Sequence, residues 1–416
     1  MKQEIKERIE LINKGIVPAG YKKTLVGICP IEWETSKLSE LSTFVGGGTP
    51  STKNRSYWEG NIPWISSSDI SDEGIYNIFV KKFINEESIN NSATKLIPED
   101  SILVVTRVGV GKLAINTVKI CTSQDFTNLI NIKINKKFLA FYLKELINKN
   151  LKNTQGTSIK GITTKELGNY EIFSNNILEQ QKIAEILDCA TRQVELQEQL
   201  VDKLKVQKKA LMQKLLTPQP DWQKLKLKNI INFYNGYAFK SETYVKNGAF
   251  YVITISNVKD GGFVLQEDTS TIEKIPTDIR EYQILRKGDV LISMTGNVGR
   301  VCKVESDNCL LNQRVGKIEV KKEFDKNFIF YSLQSYSFVE KMKLLAQGAA
   351  QDNMSVKDIN NYIIYLPKNK EIQSNISNVL SNIDKQIELE QKLLEQYKLR
   401  QKALMQLLLT GIVRVD

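Results

Sequence analysis

The chain has 416 residues, enough for two or three domains that each bury a core of their own. Its formal charge of +11 and pI near 9.1 favour a polyanionic partner, of which nucleic acid is the commonest. There is no histidine, so imidazole metal sites and Ser–His or Cys–His nucleophilic pairs cannot exist within it.

In chain order, residues 1–32 form an N-terminal segment whose first residues are too charged for a signal peptide. Residues 33–173 read as short strands between turns, including Ser101-Ile-Leu-Val-Val-Thr106 and Leu129-Ile-Asn-Ile-Lys-Ile134, with a helix over 138–150. Gly46-Gly47-Gly48 and Gly109-Val-Gly111 are glycine-rich but lack the spacing of a phosphate loop or a dinucleotide fingerprint. Gly46–Gly48 suit either a close backbone approach to phosphate or a plain turn. Glu99-Asp100 reads as a turn leading into a strand rather than a metal site. Residues 174–217 form a long helix, ended by Pro218 and Pro220. Residues 218–366 repeat the strand pattern, with Asp289-Val-Leu-Ile-Ser293 and Val315-Gly-Lys-Ile-Glu-Val320 as strands and a helical stretch over 327–345. A second long helix and tail fill 367–416, with Gly411 as the stop.

The chain contains itself twice. Gln207-Lys-Lys-Ala-Leu-Met-Gln-Lys-Leu-Leu-Thr217 returns as Arg400-Gln-Lys-Ala-Leu-Met-Gln-Leu-Leu-Leu-Thr410. Gly156-Thr-Ser-Ile-Lys-Gly-Ile-Thr-Thr-Lys165 matches Gly348-Ala-Ala-Gln-Asp-Asn-Met-Ser-Val-Lys357, and Trp33 matches Trp222, always at an offset of about 190 residues. A period that long means duplicated domains rather than a solenoid.

Both long helices carry a heptad seam. Ile183, Leu187, Ala190, Val194, Val201, Leu204, Leu211 and Leu215 recur at alternating steps of four and three, interrupted by Gln197 and Lys208. Ile376, Leu380, Ile383, Ile387, Leu394, Tyr397, Leu404 and Leu408 do the same, interrupted by Glu390 and Gln401 at the same two steps. The economical way to cover both stripes is for the helices to pack on each other. The expected fold is α+β: two repeated globular domains separated by two long helices packed as an antiparallel coiled coil, with pseudo-two-fold symmetry. The alternative is that each helix serves a separate oligomer.

The five cysteines, Cys29, Cys121, Cys189, Cys302 and Cys309, are scattered with no Cys-x-x-Cys pair. They read as reduced, packed thiols rather than a zinc site or a disulfide framework. No apolar run approaches a membrane span, so a cytoplasmic protein with no membrane partner is expected. No Gly-x-x-x-x-Gly-Lys-[Ser/Thr] loop appears, and no Asn-Pro-Pro-aromatic sequence of the adenine-methyltransferase kind.

Phe44-Val-Gly-Gly-Gly-Thr-Pro-Ser-Thr-Lys-Asn-Arg-Ser-Tyr-Trp58, followed by Gly60-Asn-Ile-Pro-Trp-Ile-Ser-Ser-Ser-Asp69, resembles the start of a type I restriction–modification target-recognition domain. Leu178-Glu-Gln-Gln-Lys-Ile-Ala-Glu-Ile-Leu187 with Lys208-Lys-Ala-Leu-Met-Gln-Lys-Leu-Leu-Thr217 resembles the central conserved helix of the specificity (S) subunits, and the stretch from Lys402 to Val415 the distal one. Gly20-Tyr-Lys-Lys-Thr24 and Pro30-Ile-Glu-Trp33 are similar to their usual opening. Copy two departs, with Tyr234-Asn-Gly-Tyr-Ala-Phe-Lys-Ser241 for the glycine loop and Val252 for Trp64. The resemblance implies a non-catalytic subunit that reads a bipartite, asymmetric double-stranded DNA target. Its partners would be two modification (methyltransferase) subunits and restriction/translocase subunits. S-adenosylmethionine, ATP and Mg would bind to those partners, with no cofactor in this chain.

Base and phosphate readers are expected on loops between strands. In copy one they are Thr49, Ser51, Lys53, Arg55, Arg107, Lys112, Gln155 and Lys160; in copy two, Lys240, Ser241, Asn297, Arg300, Gln313, Arg314, Gln351 and Asn353. Arg presents a planar fork to guanine, Gln and Asn pair bidentately with adenine, and Lys, Ser and Thr more often hold phosphate. Plain solvation is the competing reading for each. The competing functions are a coiled-coil scaffold with protein-binding heads, or a nuclease with an unrecognised carboxylate site.

If the first helix acts as a ruler between two readers, four residues inserted near Gln197 add about 6 Å and turn it by roughly 400°, nearly restoring its face. The non-specific spacer of the target should then grow by about one or two base pairs at about 3.4 Å each, with both half-sites unchanged. Methylation mapping reads the spacing; an unchanged spacing in a folded variant rejects the ruler.

Overall fold

The structure is a computed structural model that describes residues 3–72, 74–153, 161–259, 262–265, 267–347 and 353–415. The chain divides into two units. One comprises Met1–Gln199 with Gln391–Asp416, the other Leu200–Glu390. Both long helices, Ile177–Leu215 and Lys370–Leu409, therefore give part of their length to each unit.

The units share one main topology. In the first, Thr43–Gly46, Phe126–Ile130, Ile102–Val105 and Leu113–Ile115 lie side by side as antiparallel neighbours. In the second the same order is taken by Ile231–Asn235, Val315–Val320, Val290–Ser293 and Val301–Lys303. A second sheet in each unit holds one parallel pair among antiparallel ones: Ile62–Ile65 with Cys121–Thr122, and Phe250–Ile253 with Cys309–Leu311. Glu34–Lys37 pairs with Glu171–Ser174, and Gln223–Lys226 with Ile363–Leu366.

Burial explains which apolar runs become strands. Ile102–Val105 is buried along its whole length, as a β-branched run facing packed layers on both sides should be. The strand expected over 129–134 instead occupies Phe126–Ile130. Asn131 turns into the left-handed region at φ 51° and ends the ladder, something alternation alone does not reveal. The helical stretch expected over 327–345 is two helices, Lys326–Leu333 and Tyr336–Gln347. The Ser335 hydroxyl turns back to the Ser332 carbonyl at 2.7 Å and accepts the Phe338 amide at 3.4 Å, restarting the helix there.

Each unit anchors the start of its long helix with a buried glutamine. Gln180 accepts the Asn135 amide at 2.9 Å and donates to the Asn175 carbonyl at 2.8 Å. Gln373 accepts the Asp325 amide at 2.9 Å and donates to the Pro367 carbonyl at 2.7 Å. Beside these anchors the helices enter the cores, with Ile183 and Leu187 against Trp33 and Phe138 in one unit, and Leu380 among Ile292, Phe328 and Leu366 in the other.

Within each unit the two helical segments run antiparallel. In the first, Gln401 donates to the Thr191 hydroxyl at 2.8 Å and Lys398 pairs with Glu198 at 2.5 Å. In the second, Leu204 packs on Ile383 and Ile387, while Lys208 pairs with Asp384 at 2.6 Å. Two polar interruptions of the seam, Gln401 and Lys208, thus find partners on the opposite helix. The first unit also holds the chain's last residues. Arg414 bonds both oxygens of Glu179, one at 3.0 Å, and reaches Glu32, whose carboxyl it holds below its usual range. Glu179 in turn accepts Trp33 Nε1 at 3.1 Å, so the tail closes over the start of the helix.

Four cysteines are buried and unpaired, but Cys189 is exposed, against the expectation that all are packed. It falls between Leu187 and Ala190, one step off the seam. Glu99-Asp100 forms a turn before the strand, with Asp100 at φ 61° and its carboxylate 3.0 Å from Lys136. No described helix is long and apolar enough to cross a membrane.

Leu380 is fully buried at the point where the second long helix enters its core. Leu380→Ala should cost about 2–5 kcal/mol of stability, whereas Cys189→Ser should stay within about 0.5 kcal/mol. Denaturant unfolding of the full chain measures both.

Candidate nucleic-acid interface

In each unit four chain segments meet beyond the ends of the sheets, and backbone hydrogen bonds hold them. The first is the turn after Thr43–Gly46. Gly48 donates to the Thr122 carbonyl at 2.8 Å, as Tyr237 does to Leu311 at 2.7 Å in the second unit. A Cβ on Gly47 would stand 2.1 Å from the Ser123 carbonyl oxygen, and one on Gly236 2.0 Å from that of Asn312. These glycines therefore serve a close crossing of two protein backbones. Of the two readings left open for Gly46–Gly48, close approach holds at Gly47 and Gly48, where the backbone approached is the protein's own. Gly48 packs on Ala93 and Thr94, and Trp64 Nε1 and the Thr94 hydroxyl both donate to its carbonyl.

The second segment follows the short parallel strand. Ser123 donates its amide to Ile65 at 2.9 Å, and Asn312 donates to Ile253 at 3.2 Å. Two residues on, the carbonyls of Asp125 and Arg314 accept the amides of Thr106 at 2.8 Å and Met294 at 3.0 Å. That leaves one exposed residue between fastened neighbours, Gln124 in one unit and Gln313 in the other.

The third segment is the hairpin loop that holds Arg107 and Asn297. Its return is set by Gly111 and Gly299, both at positive φ, whose amides go back to Val105 at 3.4 Å and Ser293 at 3.0 Å. The fourth lies against it. Ile162 donates to the Thr106 carbonyl at 2.7 Å, Met354 donates to Met294 at 2.9 Å, and Asn353 bridges to Thr295.

The expected readers distribute unevenly over this framework. Thr49, Arg107, Asn297, Gln313, Arg314 and Asn353 lie on the four segments and are exposed. The Thr49 hydroxyl bonds the Gln124 side chain. Ser51, Lys53 and Arg55 follow Thr49 into a turn where the Ser51 carbonyl accepts Trp58 Nε1 at 3.2 Å and Lys82 lies 5.5 Å over the rings of Trp58 and Trp64. Lys240 and Ser241 are exposed at a separate short turn, Ser241–Thr243. Lys112 is committed to the protein, 3.3 Å from the Ile70 carbonyl and 3.6 Å from Asp72. Arg300, at the equivalent place, is half-buried and lines a groove of about 1000 Å³ with Asn297, Lys209 and Tyr336. Gln155, Lys160 and Gln351 lie outside the described residues.

Sequence reasoning missed Gln124. The repeat offset that makes Asn312 the counterpart of Ser123 makes Gln313 the counterpart of Gln124, so a strict alignment of the copies would have found it. Among the described residues no group of three or more acidic or cysteine side chains is placed to hold a metal ion.

A duplicated α+β domain with a fixed loop framework and different side chains in each copy defines a class of modular recognition protein. The family described as "Type I restriction modification DNA specificity domain" matches residues 30–206 and again 219–399. The chain belongs to that family and carries its domain twice. The specificity subunit of the type I restriction enzyme MjaVIII of Methanocaldococcus jannaschii is 28% identical over 93% of this chain and 94% of its own. The MjaIX specificity subunit of the same organism is 24% identical over 95% and 97%. Among solved structures, the S subunit of a type I restriction–modification system from M. genitalium shares the fold with a TM-score of 0.59 at 16% identity, covering 92% of this chain and 96% of that one.

Arg107 and Arg314 are exposed on the two frameworks. If either reads a base, its substitution by Ala should cost roughly 1–3 kcal/mol of DNA binding and relax one target position. Binding assays across a panel of duplexes check this; weakening that is uniform over sequence assigns a phosphate role instead.

Proposed function

We propose that the chain is the sequence-reading subunit of a type I restriction–modification complex and carries no catalysis of its own. It reads an asymmetric, bipartite duplex-DNA target, one half-site per unit, and directs adenine methylation and restriction by its partners. The observation that carries this is the repeat of one loop framework with different chemistry: Arg107 and Asp125 beside Gln124 in one unit, Thr295 and Arg314 beside Gln313 in the other. Identical heads would suit a palindrome; these do not. Family membership favours this reading over a protein-binding scaffold or a nuclease, and the charge of +11 suits a phosphate backbone.

Two methyltransferase subunits would bind S-adenosylmethionine, and restriction/translocase subunits would use ATP and Mg, a division with which the lack of phosphate-loop and methyltransferase motifs here agrees. The setting would be the cytoplasm, where all five cysteines stay reduced.

Because each unit has its own framework and core, exchanging residues 33–173 for those of another family member should change one half-site and leave the other intact. Methylome sequencing of cells carrying the exchanged chain with its methyltransferase reads both halves at once. A simultaneous change in both would reject independent reading.

A further inference from the structure

Both frameworks present an exposed glutamine at the same place. The hairpin loops carry different residues, Arg107 in one unit and Thr295 in the other, yet each parallel strand is followed by an exposed glutamine. The fastening is also the same. On one side the preceding residue is buried and bonded to the neighbouring strand, Ser123 to Ile65 and Asn312 to Ile253. On the other the following carbonyl is bonded to the hairpin loop, at Thr106 and Met294. Gly47 and Gly236 press on the same turn with no room for a Cβ. The backbone of each glutamine is thus set before any ligand arrives, which lowers the ordering cost of contact.

We propose that Gln124 and Gln313 are paired specificity-determining residues that read an adenine at the equivalent position of each half-site. The inference rests on the DNA-reading function proposed above. A glutamine amide offers one acceptor and one donor side by side, the complement of the N6 amine and N7 of adenine in the major groove. The half-sites then share one specified A·T pair, and their difference comes from the arginines. Arg107 reaches out from the hairpin loop in one unit, where the other has Thr295. Arg314 stands next to its glutamine in the other, where the first has Asp125. In the first unit the Thr49 hydroxyl bonds Gln124 and fixes its amide; Ala238 stands at the equivalent place in the second.

The test uses the full chain assembled with its methyltransferase subunits. Target motifs are mapped by methylome sequencing for the unaltered chain, Gln124→Ala, Gln313→Ala and Gln124→Arg, and binding of the purified complexes is measured on duplexes substituted at each specified position. Each alanine variant should lose about 5- to 150-fold of its preference at one A·T pair of one half-site, at the same distance from the methylated base in both cases. Gln124→Arg should shift that position towards guanine. An unchanged motif, relaxed positions at different distances, or equal weakening on every duplex overturns the pairing. Loss of all methylation together with loss of all binding also overturns it, because an exposed reader should leave the other half-site recognised. If instead the unaltered chain imposes no bipartite motif, the DNA-reading function itself fails, whatever the glutamines do.

Discussion

Two apolar stripes must be covered, and covering them ties together parts of the chain far apart in sequence. Thr191 meets Gln401 across 210 positions, and Glu179 meets Arg414 across 235. A helix of 39 residues with such a seam is not stable exposed to water, so its apolar face is covered by the other helix and by the cores it enters. Once the helices are paired, each unit is built from a segment of both, and neither core is complete without them. Leu187 and Leu408 close one core; Met212 and Leu380 close the other.

On that base the globular parts solve a second problem: presenting variable side chains on an invariant backbone. The solution is to fasten loops at their ends and leave single residues free. Backbone amides bonded across from one loop to the next make the framework independent of the side chains it presents. That is why Arg107 in one unit can become Thr295 in the other while the amide of the residue before it, Thr106 or Met294, keeps its partner. The glycines obey the same logic. Gly47 and Gly236 are retained in both units because two backbones cross there, whereas Gly48 gives way to Tyr237 where Ala93 and Thr94 no longer press on it.

The candidate interface was partly legible before folding. Loops flanking the strands stood out by composition, and Arg107, Gln313 and Arg314 could be chosen by chemistry. Lys112 shows the limit of that choice. It looks like any exposed loop cation, yet its ammonium group is spent on the Ile70 carbonyl and Asp72, residues that approach it only through the sheet. Gln124 shows the opposite limit. Nothing marks a glutamine beside Asp125 as special until the two copies are strictly aligned and Gln313 falls opposite it. Element boundaries failed for local reasons of the same kind: Asn131 ended a strand by its left-handed φ, and Ser335 interrupted a helix with its hydroxyl.

The amino-acid order by itself determined the duplication, the two long helices, their seams and the exclusion of histidine chemistry, because periodicity and composition are properties of the chain read along its length. It also carried the family likeness, since the matching motifs are contiguous. Only the tertiary structure decided which loops meet, which cations remain available and which glycines are sterically required. Those are outcomes of contacts between segments far apart in sequence, such as Thr49 with Gln124 at 75 positions or Asn128 with Val45 at 83, and such contacts leave no local period to read.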